Sequence, residues 1–256
     1  MKVTFDSNVW RVVSSPDKFP KESALSDFRK IREAIVSGRV IPYICETVFT
    51  LEAIKRANRK EFFSVPNSKT KVITSEVNGG AVVSFSVGPD KSVHPGNNAY
   101  LNMHLQDALK IGFNIVKFPR IGGVQNPDIE QHLYKHEELG TYLEKIFEVG
   151  KIIEERGAGF AQIKKIGEAY ANIWFDGLQK APSNEDGLIA NAVAEWADGD
   201  SVACHIGVGG DYFCTRDLAK KAGEGSVLAQ NNLEWLKSDF GFTIISPEDL
   251  SAKLRS

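Results

Sequence analysis

The sequence predicts an α/β fold, a sheet of mostly parallel strands covered by helices, and three observations carry the prediction. Residues 3–5 (Val-Thr-Phe) fit a strand and run straight into Asp6-Ser7-Asn8, residue types that favour turns and helix caps. Further β-type runs then alternate with stretches whose apolar positions recur at helical spacing. Twice, at Asp6 and at Asp217, a strand delivers a carboxylate to its carboxyl end, the edge where open α/β sheets bind ligands.

Taken in order, residues 26–37 place apolar side chains at Phe28, Ile31, Ala34 and Ile35, and Gly38 is suited to end that helix. Residues 39–44 form a short strand in which Pro42 cannot donate a ladder hydrogen bond, so an edge or bulged strand is expected. Residues 45–59 read as one continuous helix. At about 100° per residue, Glu52 falls with Lys55, Arg56 and Arg59 on a charged face and reads as a solvated ion pair. Glu46 shares the side of Phe49, Ala53 and Ala57, where an acid is out of place unless a site needs it, which makes Glu46 the better candidate.

Residues 55–71 carry Lys55, Arg56, Arg59, Lys60, Lys69 and Lys71 against the single acid Glu61, with Phe62 and Phe63 between them. That mixture suits a nucleic-acid backbone and a stacking surface, and equally an ordinary solvated helix end. Two β-rich runs around Asn78-Gly79-Gly80 predict a hairpin over residues 72–87, followed by a loop, a helix over 99–111 and a strand over 113–118. Residues 128–172 read as helical throughout, broken at Gly140 and at 157–159. His132 and His136 stand at i, i+4 there, but no glutamate follows the first histidine as a zincin pair requires.

A further helix is expected from Asp186 to residue 197, with Asp186, Ile189, Ala190 and Val193 on one face. The run Gly207-Val208-Gly209-Gly210 leads into a strand rather than a helix, unlike a dinucleotide-binding loop. That strand, residues 212–214, ends in Thr215-Arg216-Asp217. A helix over 226–235, a strand over 242–245 and a helix start at 246–249 complete the chain. The expected organisation is one domain over 1–256 with an insertion at 60–180 that holds the hairpin and helices.

At 256 residues and 42% apolar content the chain can bury a full core, and its net charge of −2 provides no global basic field, so any nucleic-acid contact must be local. Its three cysteines form no C-x-x-C pair, which argues against a disulfide framework and a structural zinc site. No stretch approaches a membrane span, and the amino terminus lacks a basic-then-apolar signal. The expectation is a soluble, cytoplasmic protein with no membrane partner.

Two strand-end acids, Asp6 and Asp217, and two helix-start acids, Glu46 and Asp186, would meet at one rim of the sheet as oxygen ligands for Mg²⁺ or Mn²⁺. At this point the sequence resembles the PIN-domain family of metal-dependent nucleases. Val3-Thr4-Phe5-Asp6-Ser7-Asn8-Val9 looks like the family's opening strand and Asp-Thr-Asn motif, with Ser for Thr. Glu46 or Glu52 matches its helical Glu, Asp186-Gly187-Leu188-Ile189-Ala190-Asn191-Ala192 its Asp-x-x-Ile-Ala-x-Ala helix, and Asp211 through Asp217 its Asp-x-x-hydrophobic-Thr-x-Asp strand end. The match covers about residues 1–60 and 180–256, and the middle is far longer than in a usual member.

The resemblance implies a three-layer sandwich and a phosphodiesterase that cuts single-stranded RNA. Asp6, Glu46, Asp186 and Asp217 would hold one or two metal ions that activate a water. Asn8, Glu52, Asp211 and Thr215 would support them, and Lys55, Arg56, Arg59 and Lys60 would bind RNA. It further implies a housekeeping ribonuclease or the toxin of a pair with an antitoxin protein, and leaves a homo-oligomer open. The alternative is a module of the same fold that grips nucleic acid or protein without cutting.

Overall fold

The structure, a computed structural model, describes residues 1–65, 68–77, 80–89, 94–120, 124–217, 223 and 225–255. The chain runs β1 (Lys2–Phe5), α1 (Trp10–Ser14), α2 (Leu25–Val36), β2 (Ile41–Cys45), α3 (Thr47–Thr50), α4 (Arg59–Phe63), β3 (Ser68–Val77), β4 (Gly80–Pro89), α5 (Ala99–Lys110), β5 (Asn114–Val116), α6 (Leu139–Glu155), α7 (Phe160–Glu168), α8 (Trp174–Lys180), α9 (Asp186–Gly207), β6 (Tyr212–Cys214), α10 (Gln230–Phe240), β7 (Ile244–Ile245) and α11 (Pro247–Lys253). Five strands pair in parallel in the order β5-β2-β1-β6-β7.

Alternation along the strands sorts their side chains between two helical layers. Val3, Phe5, Ile44, Ile115 and Cys214 face one apolar core with residues of α1, α2, α5 and α11. Tyr43, Cys45, Val116 and Phe213 face the other, with residues of α6, α9 and α10. The architecture is therefore the expected α/β sandwich. A third apolar cluster, including Leu51, Phe63, Ile163, Leu178 and Trp196, joins α4, α7 and α8 to the first half of α9. Gly199 of α9 and Gly159 at the start of α7 nearly touch, since a Cβ on Gly199 would lie 2.9 Å from the Gly159 Cα.

Several boundaries differ from the sequence expectation. Residues 45–59 are not one helix: β2 runs through Cys45, α3 is one turn, a turn follows at 51–54, and a 3-10 turn at Arg56–Asn58 precedes α4. Pro42 lies in an interior strand, between β1 and β5, rather than at an edge. It is tolerated because β5 pairs with β2 only from Tyr43 onward, so no carbonyl of β5 waits for the missing N–H. Residues 128–172 are interrupted by an extended stretch where Leu133 bridges to Ile115, which parts His132 from His136; the latter instead stacks on Tyr142 at 3.5 Å. Helix α9 continues ten residues beyond the expected end at 197.

Of residues 60–180, α5, β5 and α6 belong to the central sandwich, while β3 and β4 form a separate antiparallel ribbon, pairing Ser68 with Pro89 through Val77 with Gly80. Asn78 and Gly79, the tip of the expected hairpin, lie outside the described residues.

Candidate active site

Asp6 follows β1 directly, and its backbone N–H donates to the Cys214 carbonyl at 3.0 Å, which fixes the end of β1 against the end of β6. Its carboxylate is 8% exposed. Oδ1 accepts from the Ser7 N–H at 2.6 Å; Oδ2 accepts from Asn8 Nδ2 at 2.9 Å and from the Thr215 hydroxyl at 2.6 Å. Thr215 Oγ1 in turn accepts from the Asp217 N–H at 2.9 Å, and Asn8 Oδ1 accepts from the Arg216 N–H at 3.1 Å. Asn8 and Thr215 thus lace the loop after β1 to the loop after β6 and hold Asp6 in one orientation.

Glu52, Asp198 and Asp217 each interact with this position, and Glu195 acts on Asp198. Burial and then Asp6 push Glu52 up to about 7. Burial raises Asp198 well above the usual carboxylate range, and Asp6, Glu52, Glu195 and Asp217 all add to the rise. Burial also raises Asp6, with Asp217 contributing, and raises Glu195, again with Asp217 contributing. Glu52, Glu195 and Asp198 are each partly exposed and Asp217 is exposed, so solvent reaches the space between these acids. Such a set is electrostatically strained: unit charges about 4 Å apart repel by roughly 4 kcal/mol at an effective dielectric of 20. Two compensations are present. The Ser7 side chain favours the ionised forms of both Asp6 and Glu52, and the charges of Arg59 and Arg11 favour the ionised form of Glu52.

The helix-start acids do not join them. Glu46 is buried with its carboxylate 3.7 Å from Lys117 Nζ, beside Cys45 and Asp200. The phase argument that preferred it assumed an unbroken helix; α3 ends at Thr50 and the turn after it swings Glu52 inward. Asp186, with a side chain 53% exposed, pairs with Lys60 at 3.0 Å. It stands twelve residues before Asp198 on α9, about 18 Å along the axis. Asp211 lies at the opposite edge of the sheet, where its carboxylate accepts from the Lys2 N–H at 2.7 Å at the start of β1. Its place is structural.

Neither Glu195 nor Asp198 belongs to the expected site set: Asp198 lies beyond the expected helix end at 197, and Glu195, inside it, falls on the side opposite Asp186. The legible signal was their i, i+3 spacing, which puts both acids on one helix face. Asp200, two residues on, is occupied otherwise: it binds Arg120 through both oxygens and accepts from Trp196 Nε1 at 2.9 Å.

The basic stretch is largely consumed in packing. Arg59 is 8% exposed and donates to the carbonyls of Ile54 at 3.2 Å and Ala190 at 2.7 Å. Arg56 donates to Asn191 and Gly187, and Lys60 to the Ala181 carbonyl at 2.6 Å. Phe63 is buried against Trp196, and Phe62 packs on Phe63 and His94. Only Lys55 of the four expected RNA-binding cations is exposed without such a tie to α9.

The donor chemistry fits a hard divalent cation, since the site offers carboxylate and hydroxyl oxygens, with no sulfur or imidazole in the set. Among the described residues no three His, Cys, Asp or Glu are close enough to form a ready-made metal-holding group, so ligand spacing requires the side chains to draw inward. The chain matches no model of a known protein family, no curated protein and no solved structure.

Proposed function

We propose that the protein is a metal-dependent endoribonuclease of PIN type that hydrolyses single-stranded RNA at the carboxyl edge of its sheet. One observation supports this reading above the others: Asp6, Glu52, Asp198 and Asp217, from four separate segments of the chain, act on one another where solvent reaches them. Mutually repelling acids gain nothing for a fold, whereas a cation among them removes the repulsion.

In this reading Asp6, Glu52, Asp198 and Asp217 hold Mg²⁺ or Mn²⁺. A divalent ion held there would supply Lewis acidity, lowering the pKa of a water and stabilising charge on the leaving oxygen. Asn8 and Thr215 keep the Asp6 oxygens in place through the hydrogen bonds described above. Glu195, fastened to the Val227 N–H at 3.3 Å, borders the same space from α9 and adds to its negative potential.

The test is incubation of the purified protein with mixed RNA and with single-stranded DNA, in Mn²⁺, in Mg²⁺ and in EDTA. RNA should be cut only with a divalent ion, and Asp6→Asn should abolish cutting. Absence of cleavage with both ions, or equal cleavage by Asp6→Asn, would refute the assignment.

A further inference from the structure

Arg11 is the cation that the site leaves uncommitted. The Val9 and Trp10 N–H groups bond to the Asp6 carbonyl, so α1 springs directly from the acid and Arg11 stands in its first turn. Its charge acts on both Glu52 and His104 of α5. Its Cζ lies 5.7 Å from the centroid of the Tyr100 ring, and Tyr100 is 49% exposed. Among the described residues the Arg11 side chain makes no hydrogen bond and no ion pair. Arg29, Arg56, Arg59, Arg120 and Arg216 all spend their donors on carboxylates or backbone carbonyls.

An arginine with its planar fork of donors free, near an acidic site, is suited to a phosphate. A half-exposed tyrosine beside it is suited to a base. The ring is also held in place, because Tyr100 meets the buried His104 edge-on at 4.6 Å, and His104 stacks on Phe19 at 5.3 Å. Beyond Arg11 the seam between α1 and α5 opens into a cavity of about 280 Å³ lined by Ser14, Ser15, Lys18, Arg32, Asp107 and Lys110 among others. Lys18 is bonded there to Asp107, and Arg32 and Lys110 face Asp17 in the rest of the lining, so the cavity carries a small excess of positive charge.

We propose that this seam is a subsite for single-stranded RNA, in which Tyr100 stacks one base and Arg11 takes the adjoining phosphate as the strand leaves the acidic site. The inference rests on the nuclease reading for its choice of ligand, but it is tested by binding rather than by cleavage. The probe is a short fluorescein-labelled single-stranded RNA of mixed sequence, titrated by anisotropy in EDTA over a range of KCl concentrations. Tyr100→Ala should weaken binding by about fivefold or more, the loss of one base–aromatic stack, while Tyr100→Phe, which keeps the ring, should bind as wild type. Arg11→Gln should lower the salt slope by about 0.7, the release expected from one phosphate of a single strand.

Melting curves check that each variant is folded, and Tyr100→Leu, which keeps bulk on α5 without a ring, replaces Tyr100→Ala if the latter is not. A protein that fails to bind the RNA, or Tyr100 and Arg11 variants with wild-type affinity and slope, would overturn the subsite. If the variants weaken binding as stated but wild type cuts nothing in Mn²⁺, the subsite stands and the hydrolytic reading falls. If wild type cuts and the variants bind normally, the subsite falls and the hydrolytic reading stands.

Discussion

Glu52→Gln should stabilise the metal-free protein at neutral and alkaline pH while abolishing its response to metal. The native carboxyl titrates at about 7 against an ordinary 4.5. At about 1.4 kcal/mol per pH unit, ionising it in the folded state costs at most about 3.5 kcal/mol, and partial solvent access lowers this to about 1–3 kcal/mol. The sign follows from proton linkage: between 4.5 and about 7 the folded chain holds this proton more tightly than the unfolded chain, so stability falls as pH rises through that window. Glutamine has the same shape without the charge and does not share the loss. Thermal unfolding in EDTA should therefore give equal melting temperatures at pH 4, where Glu52 is protonated in the native state. At pH 8 Glu52→Gln should lie about 2–12 °C above wild type, at roughly 2–4 °C per kcal/mol for a chain of this size. In excess Mn²⁺ the order should narrow or reverse, because only wild type keeps the full oxygen set. Equal melting temperatures at pH 8 in EDTA would refute the claim that Glu52 ionises against its neighbours, and with it the composition of the site.

The two glutamates and the two α9 acids should separate in a cleavage assay: Asp198→Asn loses metal-dependent cutting, whereas Glu46→Gln and Asp186→Asn keep it, and the reverse pattern would relocate the site to the Lys117 side of the sheet. Asp217→Asn should gain less stability from added Mn²⁺ than wild type, by about 1.4 kcal/mol at saturating metal for each tenfold rise in Kd; equal metal-induced shifts in melting temperature would remove Asp217 from the ligand set. Arg59→Ala should cost about 2–3 kcal/mol in urea unfolding, since two carbonyls lose a charged donor, yet leave the salt slope of RNA binding unchanged. A lower slope without lost stability would return Arg59 to the RNA-binding surface.

The sequence by itself determined what depends on local chemistry. Short runs of β-type residues at 3–5 and 212–214, with cap and turn types directly after each, sufficed to put Asp6 and Asp217 at the carboxyl edge, where the shared hydrogen bonds of Asn8 and Thr215 join their loops. The parallel α/β class was legible for the same reason, since strand and helix periods alternate along the chain. Tertiary structure decided what depends on where helices break and end. Helical phase sorts residues correctly only inside one helix, and the turn at 51–54 brought Glu52 toward Asp6, while Glu46 is buried beside Lys117. In α9 the first turn faces Lys60 while Asp198, the acid that interacts with Asp6, lies three turns on, in a stretch packed against α6 and α7. Charge composition likewise names no partner: Arg56, Arg59 and Lys60 look like a surface patch in sequence, but they are spent on carbonyls and side chains of 181–191, a segment more than 120 residues away along the chain.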